Sequence, residues 1–149
     1  MKAYLGIDPG ISGARALIDE DGNLIEIIDN ADRFNRMDGY TLALVALEAV
    51  HSMPKQGVAS SFKFGAEFGW WLGWLAALSI PYIEVTPTKW QKAVLDIRPA
   101  KGTAKEAVWQ FCRRRWPTAE ISTARGKRLY GRSDALGLAY YAYLQEGRK

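Results

Sequence analysis

The feature that most constrains the fold is the stretch at residues 42–50, Leu-Ala-Leu-Val-Ala-Leu-Glu-Ala-Val, which is apolar at every position but one. A strand with one wet face alternates apolar and polar residues. A continuous apolar run of this length is the pattern of a strand covered on both faces, as in layered α/β folds. Its single charge, Glu48, lies near the C-terminal end. An unpaired carboxylate is costly to bury, so inside the strand Glu48 needs a partner, a proton or a metal ion. If the strand stops earlier, Glu48 is simply exposed.

Ahead of this run, residues 2–8, 14–19 and 24–29 read as strands. Asp19-Glu20-Asp21-Gly22-Asn23 is a strong hairpin signal between the second and the third. In the first strand Ala3, Leu5 and Ile7 alternate with Tyr4, Gly6 and Asp8, which defines two faces. Asp8 shares its face with Gly6, which predicts open space beside the carboxylate. Pro9-Gly10 then forces a turn, followed by Ile11-Ser12-Gly13-Ala14. A carboxylate ending a strand beside a glycine-rich turn is well placed to hold a metal ion. The plain alternative is an ordinary Asp-Pro-Gly turn. Residues 31–40 are polar, with room for at most a short helix.

Residues 51–64 form a polar, basic segment containing Lys55, Ser60, Ser61, Phe62 and Lys63. Such a loop can touch a phosphate backbone or wedge an aromatic ring into a base stack. It can equally start a helix, with Ser60 or Ser61 as N-cap. A helix is predicted over residues 62–78, where Ala66, Trp70, Trp74 and Ala77 recur at helical spacing and Gly69 and Gly73 lie on a neighbouring line. Trp70, Trp71 and Trp74 nearly encircle it, which predicts a self-association face around residues 68–77, the alternative being tryptophan as plain core.

Residues 81–85 read as a fifth strand. Thr86-Pro87 opens a helix carrying Lys89, Trp90 and Lys92. Thr103-Ala104-Lys105-Glu106 has the form of a capping box, opening a helix that bears Arg113, Arg114 and Arg115. Residues 121–131 are a basic loop with Arg125, Lys127 and Arg128. Residues 132–145, beginning with Arg132, close the chain as a helix. Asp134 falls in its predicted first turn, where the helix dipole favours an acid. The reading is an α/β chain forming one domain over residues 1–149, with a mixed five-stranded sheet and helices on both faces.

Charge is divided unevenly. Residues 1–97 carry eight Lys/Arg against twelve Asp/Glu, whereas residues 98–149 carry twelve against four. A basic third of this kind suggests a polyanionic partner, or else a solvated basic face. One cysteine, Cys112, permits no intramolecular disulfide, and with the one histidine, His51, it supplies no zinc cluster. A reducing cytoplasm fits. No signal peptide is visible, and the longest apolar stretch, residues 68–80, is too short to span a bilayer.

The ordered set of motifs resembles the RuvC-like Holliday junction resolvases of the RNase H-like superfamily, especially their short phage members. The matching residues are Gly6-Ile7-Asp8-Pro9-Gly10 with Ser12-Gly13-Ala14, then Leu47-Glu48-Ala49-Val50-His51-Ser52-Met53-Pro54 with Gln56-Gly57-Val58. They continue through Phe64-Gly65, Leu78-Ser79-Ile80-Pro81-Tyr82, Thr86-Pro87 with Trp90 and Lys92, Lys105-Glu106, and Gly131-Arg132-Ser133-Asp134-Ala135-Leu136. This covers nearly the whole chain. The resemblance implies an RNase H-like fold and a nuclease that nicks branched DNA, four-way junctions above all, leaving 5′-phosphate ends. It implies Asp8, Glu48 and Asp134 as ligands of two Mg²⁺ ions, with Mn²⁺ able to substitute, and Lys92 and Lys105 beside the scissile phosphate. It also implies a homodimer, built here on the Trp-rich helix, in a bacterial or phage-infected cytoplasm. DNA contacts are expected from Lys55, Ser60, Ser61, Phe62, Lys63, Lys89, Arg125, Lys127, Arg128 and Arg132.

The chain departs from the family pattern in two places. Leu129, Tyr130 and Gly131 stand where a fourth acidic or histidine ligand is usual, and the helix before the Glu48 strand is missing or much shortened. A junction-binding protein with weak catalysis is the alternative of the same fold. An actin-like ATPase also uses a Gly-Ile-Asp-x-Gly turn, but it needs two lobes, and this chain is too short for them.

Overall fold

The computed structural model describes residues 1–33, 38–49 and 55–147. Residues 50–54, at the start of the predicted polar loop, lie outside the described residues, as do 34–37 and 148–149.

Three strands open the chain, β1 (Lys2–Ile7), β2 (Ala14–Asp19) and β3 (Leu24–Asp29), paired antiparallel in sequence order. The β2–β3 turn is closed by Asp19, whose carboxylate accepts hydrogen bonds from the backbone N–H groups of Asp21 (2.9 Å) and Asn23 (2.8 Å). The apolar run becomes β4 (Thr41–Glu48), parallel to β1, and β5 (Tyr82–Val85) lies parallel to β4, giving the sheet order β3-β2-β1-β4-β5. The mixed five-stranded sheet is therefore the one expected.

Helices cover both faces. α1 (Val58–Ala77) lies on one side, while α2 (Pro87–Leu95), α3 (Ala104–Arg115) and α4 (Tyr130–Glu146) share the other. Side-chain alternation decides what each face receives. Ala3, Leu5, Ile7, Val45 and Leu47 meet Trp71 and Leu75 of α1, and Tyr4 and Ala46 join the core beneath α2, α3 and α4. Asp8 and Glu48, in step with Gly6 and Ala46, belong to this second face.

Several local expectations are corrected. The space beside Gly6 is filled: a Cβ there would lie 2.1 Å from the carbonyl oxygen of Ala135, because the α4 backbone rests directly on β1. α1 begins at Val58, capped by the backbone of Gly57, so Ser60 and Ser61 sit within its first turn and cap nothing. Its buried positions are Trp71 and Leu75, and Ala66 and Ala77 of the predicted line are exposed. The capping box does not close. The Thr103 hydroxyl donates to the Ala100 carbonyl, while the Glu106 carboxylate accepts from Gln110, Arg128 and Tyr130. α4 begins at Tyr130, which makes Asp134 its fifth residue and takes it beyond the first turn. The dipole is then too distant to explain an acid there.

Candidate active site

The parallel pairing of β1 and β4 sets Ile7 beside Leu47, so the next residues, Asp8 and Glu48, leave the sheet at the same edge. The Asp8 turn is fixed on its backbone side. Its N–H donates to the Ala14 carbonyl (3.0 Å), and its carbonyl accepts from Asn30 Nδ2 (2.7 Å), which also bonds the Gly10 carbonyl (2.9 Å). Asn30 is almost fully buried, and sequence reasoning missed it. No local signal marks it, because its role depends on where β3 ends relative to a turn twenty residues earlier.

The start of α4 docks on this turn at Gly131. A Cβ there would lie 2.9 Å from the Ser12 carbonyl oxygen and 3.6 Å from Asp8 Oδ2. A side chain at position 131 has no room unless the turn moves, which gives a steric reason for the lack of a ligand at that position. One turn further on, Asp134 is 4% exposed. Lys105, from the first turn of α3, reaches across to place Nζ 3.1 Å from its Oδ2, while Oδ1 is buried without a hydrogen-bond partner among the described residues. Glu48 is also buried, and its Oε2 accepts from Trp90 Nε1 at 2.7 Å.

The electrostatics follow from this crowding. Asp8 is raised well above the ordinary carboxylate range by burial, then by the charges of Glu48 and Asp134, with Lys105 opposing. Glu48 is raised by burial, against the Trp90 hydrogen bond, and Asp134 is raised by burial, against Lys105. Burial alone would lower Lys105, but the attraction of Asp134, Asp8 and Glu48 outweighs it and the ammonium is raised. The three predicted carboxylates and one of the two predicted lysines therefore share one electrostatic cluster. Lys92 is exposed on α2.

Among the described residues, no three His, Cys, Asp or Glu side chains are gathered closely enough to hold a metal ion as they stand. The donors still suit a hard divalent cation. All are carboxylate oxygens, their mutual repulsion favours a positive charge, and Asp134 Oδ1 has no hydrogen-bond partner among the described residues. The Lys105 ammonium is the cation that now stands at Asp134.

The predicted DNA-contacting residues divide into two groups. Lys55, Ser60, Phe62, Lys63, Lys89, Arg125 and Lys127 are exposed, Phe62 by 78%, and Ser61 is half-buried. Arg128 and Arg132 are engaged within the chain. Arg128 bonds Glu106 (3.1 Å) and lies over the Trp109 ring (3.8 Å), and Arg132 grips Asp29 through two bonds (2.9 and 3.0 Å).

No family model and no curated protein matches the chain. Solved structures do. A Thermus thermophilus RuvC in complex with Holliday junction substrate is 19% identical, over 98% of this chain and 95% of that one, with a TM-score of 0.61. The structure of Thermus thermophilus RuvC is 20% identical, over 98% and 96%, also with a TM-score of 0.61. The chain thus has the RuvC-like, RNase H-like α/β fold across nearly its whole length, as the sequence resemblance implied. Among the described residues no helix is long and apolar enough to cross a membrane.

Proposed function

We propose that the protein is a structure-selective endonuclease that nicks branched DNA, Holliday junctions and related forks, by metal-assisted phosphodiester hydrolysis. The observation that carries this reading is the convergence of Asp8, Glu48, Asp134 and Lys105 at one sheet edge of a RuvC-like fold. Asp8, Glu48 and Asp134 would hold Mg²⁺, two ions in the full site, with Mn²⁺ substituting. Bound there, the metal supplies water activation and stabilises the departing oxygen. In the reaction a water oxygen would bond to phosphorus and give up a proton to solvent, while the bond from phosphorus to the 3′-oxygen breaks. That oxygen takes up a proton, and the phosphate remains as a 5′ end. The Lys105 side chain is 65% exposed, so its ammonium can turn from Asp134 toward a phosphate and offset the developing charge. Lys92 would add positive charge from α2. Before metal binds, burial and then the charges of Glu48 and Asp134 favour the protonated form of Asp8.

The substrate would be held through its backbone by exposed lysines and arginines, so affinity should fall steeply with salt. Phe62, exposed near the start of α1, is the candidate for stacking at the junction centre. A second copy docking on the exposed face of α1 would match the near two-fold symmetry of a junction and allow paired nicks. Sedimentation at micromolar concentration, with and without DNA, tests the dimer, and a monomer under both conditions would remove it. The activity is tested with a synthetic four-way junction in Mg²⁺ and in EDTA: nicks are expected only in Mg²⁺.

The Lys105–Asp134 ion pair, together with the spread of the three carboxylates, favours one second reading, a junction-binding protein with weak catalysis. Tight junction binding without nicks in either Mg²⁺ or Mn²⁺ would select it.

A further inference from the structure

Among the described residues, the Glu48 carboxylate accepts one hydrogen bond, from the Trp90 indole at 2.7 Å. Trp90 is fully buried and is the fourth residue of α2. Its backbone N–H donates to the Thr86 carbonyl (3.1 Å), so the turn that opens α2 sets the position of the ring. The far edge of the ring meets α4 at Gly137, where a Cβ would lie 2.7 Å from Trp90 Cζ3 and 3.3 Å from Cη2. Gly137 stands one turn beyond Asp134. A single rigid side chain therefore bonds the carboxylate ending β4 and leans on the helix that carries Asp134.

An indole N–H only donates and does not titrate in the working range. It supports the charged form of Glu48 and offers no lone pair to compete for a cation. With Oε2 taken, Oε1 is the Glu48 oxygen that receives no hydrogen bond from a described residue. We propose that Trp90 is a positioning residue for the metal site, holding Glu48 so that Oε1 is presented to the cation, and that position 137 is glycine to seat the ring. This rests on the metal-dependent nuclease reading. Were the ring only core filling, a phenyl group at position 90 would leave metal binding unchanged.

The test compares Mn²⁺ binding to wild type and Trp90→Phe by electron paramagnetic resonance, with four-way junction binding measured in EDTA. Trp90→Phe should bind Mn²⁺ about tenfold or more weakly, the usual scale for losing a partner that orients a ligand. It should bind the junction in EDTA as wild type does, and nick it again when Mn²⁺ is raised. Wild-type Mn²⁺ affinity in Trp90→Phe would overturn the proposal while leaving the nuclease reading intact. A wild type that binds no Mn²⁺ would remove that reading and the proposal with it. Should the variant not fold, the wild type still decides. Its Trp90 indole ¹H–¹⁵N resonance should shift on adding Mg²⁺, and an unmoved resonance while the Asp134 amide shifts would overturn the proposal.

Discussion

The two faces of the sheet use glycine in opposite ways. Beneath α4, glycines are contact points: Gly6 admits the Ala135 carbonyl, Gly131 admits the Ser12 carbonyl, and Gly137 admits the Trp90 ring. At Gly6 and Gly131 backbone rests on backbone, at Gly137 a ring does, and each contact fixes an element that carries or holds Asp8, Glu48 or Asp134. On the other face α1 stands on the large side chains of Trp71 and Leu75, and Gly65, Gly69 and Gly73 point away, with no described residue within 4 Å. A cavity of about 920 Å³ opens between α1 and the sheet, lined in part by Trp70, Trp71 and Trp74, and among the described residues the Trp71 indole nitrogen has no hydrogen-bond partner. Close packing belongs to the face that holds the carboxylates in register. On the looser face Gly65, Gly69 and Gly73 lie open along α1, on the surface a second copy would meet in the proposed dimer.

Substitutions at glycine separate the two faces most sharply. Gly6→Val places methyl groups inside the α4 backbone and should cost more than about 3 kcal/mol, leaving little folded protein by circular dichroism. Gly69→Ala adds a methyl to open space on a helix, so a dilute sample should gain up to about 1 kcal/mol in urea unfolding. A loss of stability there, growing with protein concentration, would show that Gly69 lies in an interface. Either a tolerated Gly6→Val or a disruptive Gly69→Ala in a monomer would break the contrast.

Charge gives smaller effects on the same contrast. The folded protein binds a proton at Asp8 more tightly than the unfolded chain does, so without metal the contribution of Asp8 to stability falls as pH rises from 3.8 through the raised folded value. Asp8→Asn should therefore melt higher than wild type at neutral pH in EDTA, and Mg²⁺ should raise the wild-type melting temperature but not the variant's. Glu106 behaves in the reverse sense. Hydrogen bonds from Arg128, then Gln110 and Tyr130, lower its carboxyl from 4.5 to about 2, so its contribution is present above pH 4.5 and is lost as pH falls through about 2. Wild type should melt slightly above Glu106→Gln at neutral pH and converge with it in acid. A constant difference between pH 7 and pH 2 would contradict the assignment.

Much of this was legible in the sequence where the signal was periodic. The alternation in residues 3–8 and the apolar run at 42–50, broken only by Glu48, mark two strands and the faces they present, while the parallel pairing that brings Asp8 beside Glu48 is seen in the sheet itself. Signals that depend on tertiary approach were not legible. Gly6 reads as open space from sequence and is filled by another element's backbone. Glu106 reads as a capping residue, yet three donors from its own helix, the basic loop and the start of α4 draw it away. Three tryptophans satisfy helical spacing on more than one line, so the sequence does not single out Trp71 and Leu75 as the buried positions of α1. Arg128 and Arg132 read as free cations, since nothing near them in sequence reveals Glu106 or Asp29. Trp90 carried a helix pattern but no hint of its hydrogen bond to a residue 42 positions earlier.

The central claim is that the three carboxylates cut while a separate basic surface holds the DNA. The most direct measurement is single-turnover nicking of a saturated four-way junction by wild type and Asp8→Asn in Mg²⁺, with junction affinity measured for both in EDTA. Equal affinities are predicted, with paired 5′-phosphate nicks from wild type and none above background from Asp8→Asn. Cleavage by Asp8→Asn at the wild-type rate would contradict the account.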